Sequence, residues 1–290
     1  MSKHLDKNRA DDQILIDRAL NGSRHAVEVL VKRHQDFVYN VAMKMVMDPE
    51  DAADLAQEAL IKVVTNLSKF QGRSSFRTWA YRIVVNHYLN AKRSNAEKTV
   101  TTFDAFGQAL ESAVDQELTQ EEQITMAEAV TEARLGCMSA MLLCLDREQR
   151  LIYTLGDIFQ IDHHTGAQIF DLSPDNYRQK LSRARRDLYS FMQSKCGLIN
   201  KANPCRCRKK TKAFIQRGWV DENNLRFANS RLKSIRDSLV ERQRDLADAI
   251  NGEYLELYRD HPYHSRGIAE RIGKSLLSDP RMIKILDLEN

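Results

Sequence analysis

Residues 74–93, SSFRTWAYRIVVNHYLNAKR, carry the pattern from which the fold class follows. Apolar residues recur there at helical spacing, at Phe76, Ala80, Ile83 and Val84. The other positions hold arginines, a lysine, asparagines, a histidine and Trp79. Taken alone, this pattern favours an amphipathic core helix with a basic outer surface over a helix whose outer surface has a function.

The segment before this stretch predicts further helices, of which an acidic one is the best specified. Asp48-Pro49-Glu50-Asp51 combines an N-cap side chain, a proline in the first turn and acids at the positive end of the helix dipole. The helix that follows is apolar on one side and acidic on the other. The helices predicted in this block are 12–20, 23–47, 49–69 and 75–93.

Composition supports an all-α fold. Of 290 residues, 42% are hydrophobic and 29% charged, which is ordinary for a folded protein, and aromatic residues make up only 7%, which favours helix over strand. No apolar run reaches the roughly 20 residues of a membrane span, and the polar start has no signal-peptide core, so we expect a cytoplasmic protein. Five cysteines do not make a disulfide framework.

Charge divides the chain into blocks. The formal charge is +4 over 1–93, −7 over 94–135, −3 over 136–172, +10 over 173–212 and zero over 213–290. Two basic blocks separated by an acidic segment predict two polyanion-binding modules. The weak apolar pattern of 94–135 predicts an extended tether with one short helix in 121–133. The predicted division is a helical domain at 1–93, an acidic linker at 94–135, a second helical domain at 136–195 and an extension at 196–290.

The second basic block has helix-turn-helix form. Asp146 and Gln149 predict a capped helix reaching about residue 159, and a short helix follows at 162–170. Ser173-Pro174-Asp175 is a strong start signal for the next helix. That helix is basic outside a single apolar stripe, as a recognition helix should be. The stripe consists of Tyr177, Leu181, Ala184, Leu188 and Phe191.

Cysteines cluster in the basic loop that follows, CGLINKANPCRCRKKTK. Cys196, Cys205 and Cys207 offer three thiolates for zinc, with His261 or His264 as a fourth ligand. Neighbouring cations would equally lower thiol pKa values and suit redox sensing, and a purely structural role is the third alternative. Cys137 and Cys144, seven residues apart on an apolar helix, are most simply core residues.

Two motifs in order give the chain a family resemblance. DAADLAQEALIKVVTNLSKFQGRSSFRTWAYRIVVN, residues 51–86, resembles the second region of bacterial RNA polymerase sigma factors of the extracytoplasmic-function type (ECF, group IV). LDREQRLIYTLGDI, residues 145–158, and SPDNYRQKLSRARRDL, residues 173–188, resemble the fourth region. The resemblance implies a non-enzymatic protein without a required cofactor, which binds core RNA polymerase, recognises promoter DNA and helps to open it. An anti-sigma factor is a further implied partner.

The resemblance also implies roles for residues that match the motifs. Core polymerase would bind the acidic helix, at Asp51, Asp54, Gln57 and Glu58. The minus-ten element would be melted and read by Arg77, Trp79, Tyr81, Arg82, Asn86, His87, Asn90 and Arg93. The minus-35 element would be read by Asp175, Asn176, Arg178, Gln179, Ser182 and Arg183, with Arg185 and Arg186 on its phosphates.

The chain departs from the family pattern at several positions. Trp79 precedes Ala80 where housekeeping sigma factors carry paired tryptophans, so any wedge is a single ring. His163-His164 and Gly166 stand where the family prefers acids and alanine. The turn has Asp171 where the family prefers glycine, and Asp tolerates the left-handed conformation better than most residues.

The C-terminal segment lies outside the two-region pattern. Leu232, Ile235, Leu239, Leu246 and Ile250 predict one amphipathic helix, and weaker ones are predicted near 265–277 and 280–286. Their apolar faces need cover, from each other, the sigma-like domains or polymerase.

Two other classes compete with the sigma interpretation. A stand-alone helix-turn-helix regulator of duplex DNA needs neither the acidic face nor the surface around Trp79. A zinc or thiol enzyme acting on nucleic acid lacks paired carboxylates or another catalytic constellation.

Overall fold

The structure, a computed structural model, describes residues 12–99, 102–226, 272, 275, 276 and 278–281. Within those residues all regular secondary structure is helical apart from one isolated β-bridge, which confirms the predicted all-α fold. The helices are α1 (12–20), α2 (Arg24–Val46), α3 (Pro49–Thr65), α4 (Phe76–Asn90), α5 (Asn95–Thr99), α6 (Phe103–Glu111), α7 (Gln120–Thr125), α8 (Ala127–Leu143), α9 (Arg147–Tyr153), α10 (His163–Phe170), α11 (Pro174–Lys195) and α12 (Cys207–Gln216). A 3₁₀ turn at Leu67–Lys69 follows α3, and a π-helical turn at Thr154–Ile158 follows α9.

Several predicted features lie outside the described residues. These are the helix predicted from Leu232 to Ile250, most of the segments 265–277 and 280–286, and the candidate ligands His261 and His264. None of the helices in the described part combines the length and apolar character needed to cross a bilayer.

Contacts divide the described residues into two compact units. The first unit is drawn from 1–93, 154–180 and 261–290, and the second from 94–153 and 181–260. The division after residue 93 coincides with the predicted start of the acidic linker. The divisions after residues 153, 180 and 260 instead reflect contacts between segments that are distant in sequence. The domain boundaries given by the sequence stay a prediction.

In the first unit, α2, α3 and α4 pack together, and each begins at a side-chain cap. Asp48 accepts hydrogen bonds from the N–H groups of Glu50 and Asp51 at the start of α3. Ser75 does the same for Thr78 at the start of α4. Because α4 ends at Asn90 and not at Arg93 as predicted, Arg93 lies beyond the helix.

The second unit overturns the prediction of an extended tether. Residues 94–135 contain α5, α6, α7 and the start of α8, with buried side chains such as Phe106 and Leu110. Acids of this segment pair with lysines at the end of α11 and beyond it. The pairs are Glu111 with Lys195, Asp115 with Lys210 (2.9 Å), Glu117 with Lys209 (2.6 Å) and Glu122 with Lys212 (2.7 Å). Part of the +10 charge of 173–212 is therefore compensated within the unit.

A buried ionic network also holds the linker segment in the second unit. Glu97, 5% exposed, accepts hydrogen bonds from Nε (2.9 Å) and Nη2 (2.7 Å) of Arg147 and from Nη1 of Arg150 (3.0 Å). The Ser94 N–H donates to Glu97 as well, and Ser94 Oγ accepts from the Glu97 N–H, so the two residues cap α5. Burial by itself raises the pKa of Glu97, but the hydrogen bonds from Arg147 and Ser94 and the charges of Arg150 and Arg147 lower it overall.

His34 on α2 gives the first unit a pH-dependent stability. Its Nδ1 lies 3.5 Å from the hydroxyl of Tyr81, while Nε2 is buried and finds no hydrogen-bond partner within the described residues. Burial, together with repulsion by Arg77 and Arg33, lowers the pKa of His34 from 6.5 to about 4. The folded state therefore binds fewer protons than the unfolded state between these two pH values, and stability falls as the pH falls through this window.

Between pH 7 and pH 5, we expect the free energy of unfolding of the first unit to fall by about 2 kcal/mol more in the wild-type protein than in the His34→Gln variant. The measurement is urea unfolding followed by Trp79 fluorescence in a Trp219→Phe background, because the chain has only these two tryptophans and Trp219 lies in the second unit. Equal pH dependence in both proteins would show that His34 does not titrate in this way.

Candidate nucleic-acid interface

The eight residues assigned to the minus-ten element lie on α4 or just after it, and their surroundings differ. Trp79, Asn86, His87 and Asn90 line an open groove between α4 and the end of α3. The opposite wall of the groove supplies Lys62, Asn66 and Lys69, and Ile83 completes its lining. The groove thus offers cations for phosphates, amides for base edges and an aromatic face for an unstacked base, which is the set a single-stranded nucleic acid requires.

Trp79 is half-buried in this groove. Its ring lies 5.4 Å from the ring of Phe70 and 5.7 Å from that of Phe76, centroid to centroid. These neighbours support the indole and fix its orientation, while the groove leaves part of it accessible. The indole is therefore placed as a rigid stacking platform.

His87 is held in a neutral form that accepts a hydrogen bond. Its Nδ1 lies 2.8 Å from the Lys62 ammonium, and burial followed by the charge of Lys62 lowers the pKa of His87. A neutral imidazole does not bind phosphate as a cation would. In this groove, the positive charge comes from Lys62 and Lys69 instead.

The remaining α4 residues point elsewhere. Tyr81 is 3% exposed and stacks on Phe37 at 4.1 Å, so it lies in the core and not on the predicted surface. Arg77 is exposed and lies over the Tyr81 ring at 5.3 Å. Arg82 donates from Nε (3.0 Å) and Nη2 to the carbonyl of Gln168 on α10.

The acidic surface of α3 has the predicted exposure. Asp51 and Asp54 are exposed, and Gln57 and Glu58 are half-buried on the same helix. We call these four residues the docking face. The buried side of the helix includes Ala52, Ala59 and Val63, as the apolar spacing predicts.

The turn between α10 and α11 has the backbone expected of a helix-turn-helix. Asp171 ends α10 in the left-handed conformation, with φ 57° and ψ 44°, and its N–H donates to the carbonyl of Ala167. The sequence prediction that Asp takes this conformation in place of glycine is confirmed. The Asn176 N–H donates to Ser173 Oγ at the start of α11.

All the α11 residues assigned to the minus-35 element lie on the surface. The exposed residues are Asp175, Asn176, Arg178, Gln179, Ser182, Arg183, Arg185 and Arg186. The predicted apolar stripe is buried at every position, namely Tyr177, Leu181, Ala184, Leu188 and Phe191. The helix therefore presents one polar, basic face of the length that enters a major groove.

Gly166 is explained by its contact with Tyr177. A Cβ placed on Gly166 would lie 2.3 Å from Cζ of the Tyr177 ring, which is itself fully buried. The small residue thus lets α10 approach α11 closely. Alanine at this position would require the ring to move.

We expect Gly166→Ala to destabilise the first unit by about 2 kcal/mol, because overpacking outweighs the roughly 1 kcal/mol that alanine gains in a helix. Trp79 fluorescence during urea unfolding, in the Trp219→Phe background, measures the effect. Adding Tyr177→Leu should relieve the clash and reduce the loss. A Gly166→Ala protein more stable than the wild type would contradict the contact.

Comparisons with known proteins agree with this geometry. Residues 30–98, which include the docking face and the groove, match the family model of Sigma-70 region 2. This segment of the chain therefore resembles region 2 of sigma factors. The chain is 37% identical over 98 residues to the RNA polymerase sigma-H factor of Pseudomonas aeruginosa, covering 32% of the chain and 51% of the relative. It is 28% identical over 186 residues to the ECF RNA polymerase sigma-E factors of Escherichia coli K12 and Salmonella typhimurium LT2, covering 63% of the chain and 94% of each relative.

Sigma factors are initiation factors and not enzymes, in agreement with the sequence prediction. The alignment with sigma-H spans about half of that relative, whereas the alignment with sigma-E spans nearly all of it. The longer alignment, at 186 residues, extends well beyond the region 2 match.

Sequence reasoning missed Lys62, Asn66 and Lys69 as groove residues. Helical spacing places Lys62 and Asn66, the residue that caps the C-terminus of α3, on one side of that helix. Which helix that face meets depends on the turn from residue 66 to residue 75, and no local pattern specifies this geometry. Only the packed structure identifies the wall opposite Trp79.

The cysteines share one region of the second unit. Cys196 and Cys205 form the isolated β-bridge, and Cys207 begins α12, which packs on α8 near Cys137. Burial and mutual repulsion among these thiols raise the pKa of Cys137 well above its ordinary value and that of Cys207 to about 12. Cys144 has its pKa raised to about 12 by burial.

At Cys205 and Cys207, burial therefore outweighs the nearby cations in setting the thiol pKa. The pKa of Cys205 is raised by burial and by Cys196, although Lys210 and Arg206 act against the shift. This is opposite to the lowering on which the redox hypothesis depends. Across the described residues, no three or more His, Cys, Asp or Glu side chains are already arranged to hold a metal ion.

Proposed function

We propose that this protein is a sigma factor of the ECF type that binds core RNA polymerase, recognises promoter DNA and promotes its melting. The observation that carries the proposal is the groove of Trp79, Asn86, Asn90, Lys62 and Lys69 within the region 2 match. Single-strand recognition inside a sigma region 2 is the step that opens a promoter. Such a factor works in the bacterial cytoplasm.

The docking face is the proposed contact with core polymerase. Asp51 and Asp54 are exposed near the positive end of α3, and their carboxylates suit a basic partner surface. The apolar side of the same helix is buried, so exposure of the acids is not a sign of a loosely packed element. An anti-sigma factor that bound this face would compete with polymerase.

The exposed face of α11 is the proposed reader of the minus-35 element. The amide and guanidinium groups of Asn176, Arg178 and Gln179 lie in its first turns, where side chains reach base edges. Arg185 and Arg186 are exposed further along the helix, and we assign them to phosphates. The length of the alignment with sigma-E supports a fourth region in this part of the chain.

A selection experiment tests the function. Purified core polymerase with this protein, core alone and the protein alone are each used to recover bound molecules from a pool of random duplex DNA, which is then sequenced. We expect only the complex to enrich two sequence elements at a fixed spacing. Enrichment of a single duplex element by the protein alone would support the stand-alone regulator and refute the proposal.

The proposed function requires no cofactor, and zinc at Cys196, Cys205 and Cys207 stays a separate hypothesis. Cys137, whose thiol interacts electrostatically with these three, is a further candidate ligand beside His261 or His264. Metal analysis of protein purified without chelator decides the question. One zinc per chain, lost in Cys205→Ser, would support a metal site, and no bound metal would leave the structural role.

A further inference from the structure

A segment near the C-terminus lies against the docking face. Its described residues are Ile272, Ser275, Leu276 and 278–281, which we call the capping segment. Gln57 Nε2 donates to Ser275 Oγ at 2.9 Å. Arg281 donates to both carboxylate oxygens of Glu58, at 3.0 and 3.3 Å. Two of the four docking-face residues are thus engaged by the chain itself.

The arginine that reaches Glu58 is held in place by its own segment. Asp279 accepts from the backbone N–H of Arg281 (2.8 Å), from its Nε (3.0 Å) and, through Oδ2, from its Nη2 (2.8 Å). The guanidinium is therefore oriented before it meets Glu58, which reduces the entropy lost in forming the pair. This arrangement distinguishes the contact from a chance pairing of two flexible side chains.

Apolar burial supports the polar contacts. Ile272 is 1% exposed and Leu276 is fully buried, and their spacing of four residues places them on one side of a helical turn. The capping segment and α3 belong to the same compact unit. An exposed ion pair alone contributes little, so the buried side chains are needed to keep the segment on its surface.

Occupation of the docking face has a functional consequence. Arg281 occupies part of the acceptor capacity of Glu58 and puts a positive charge beside it, so a basic surface of another protein would meet both charge repulsion and a segment in its way. A tethered segment competes at a high effective concentration, so even a weak contact covers the face for much of the time.

We propose that the capping segment is an intramolecular competitor of core RNA polymerase for the docking face. The inference rests on the proposed function, because it takes polymerase as the partner of α3. Release of the segment would be required before Gln57 and Glu58 could engage that partner. The affinity of the full chain for core would then be lower than that of the uncovered face.

The test compares four proteins for binding to purified core polymerase by fluorescence anisotropy. They are the wild type, a chain lacking residues 262–290, Arg281→Glu and the charge-reversal control Lys201→Glu, whose side chain is exposed in the second unit. We expect the truncated chain and Arg281→Glu to bind core about 5-fold more tightly than the wild type, and Lys201→Glu to bind like the wild type. The control removes any general effect of added negative charge.

The outcomes separate the inference from the function beneath it. Equal, measurable affinities in all four proteins would overturn the competition while leaving the sigma function intact. No binding to core by any of the four would overturn the proposed function and the inference together. If the truncated chain does not fold, Arg281→Glu, a single exposed substitution, still decides between these results.

Discussion

Replacing Glu97 with glutamine is expected to destabilise the second unit by about 3 to 5 kcal/mol. The substitution removes the negative charge that Arg147 and Arg150 share, and Arg150 is only 3% exposed. Arg150 would keep its hydrogen bonds to the carbonyls of Leu142, Leu143 and Leu145, which satisfy donors without balancing the charge. A buried, uncompensated guanidinium is the costly product.

The measurement is urea unfolding followed by Trp219 fluorescence in a Trp79→Phe background, since Trp219 lies in the second unit. Glu111→Gln is the matched control, because its pair with Lys195 is largely exposed and should contribute less than about 1 kcal/mol. A Glu97→Gln loss as small as that of the control would show that the network is not a significant source of stability.

Trp79→Leu is expected to slow open-complex formation at least 10-fold while core binding changes by less than about 2-fold. Stacking of a base on an aromatic ring contributes on the order of 1 to 3 kcal/mol, similar to the cost of unstacking one step, so losing the platform removes most of the gain from melting. Leucine keeps an apolar group against Phe70 and Phe76 but offers no ring to a base.

Permanganate reactivity of unpaired thymines measures melting, and anisotropy with labelled core measures binding. Trp79→Phe is the control, since it retains a smaller stacking surface and should keep most of the melting activity. Equal loss of melting and core binding in Trp79→Leu would indicate that Trp79 is only a structural residue.

The sequence predicts the first helices well because their signals are local. Asp48 and Ser75 cap the helices that follow them, and apolar spacing identifies the buried side of α3. Acidic composition misled the prediction for 94–135, although local signals were present. Ser94 with Glu97 and Thr119 with Glu122 both fit the capping-box pattern at helix starts, and these signals outweigh the average charge of the segment.

The same contrast holds for the candidate sites. On α11 every assigned residue is exposed, because one helix with one buried stripe leaves a single polar face. On α4 some assigned residues line the groove and others lie in the core or against α10, because this helix contacts α2, α3 and α10 on different sides. Tyr81 was assigned to the surface, yet the ring of Phe37 on α2 covers it. Spacing within one helix cannot reveal how many neighbours surround it.

Contacts between residues that are distant in sequence are the hardest to predict from sequence patterns. Glu58 and Arg281 are 223 positions apart, and no sequence motif includes both residues. Cys137 likewise joins the thiols of 196–207 only through the packing of α12 on α8. Such contacts depend on tertiary structure and carry no local signature.

The sigma function is tested most directly by transcription in vitro with purified core polymerase and a promoter fragment recovered in the DNA selection. We expect transcripts from one defined start site when core and this protein are both present, none with either alone, and a strong reduction with Trp79→Leu. Transcripts that do not depend on the protein, or none in its presence, would contradict its assignment as an initiation factor.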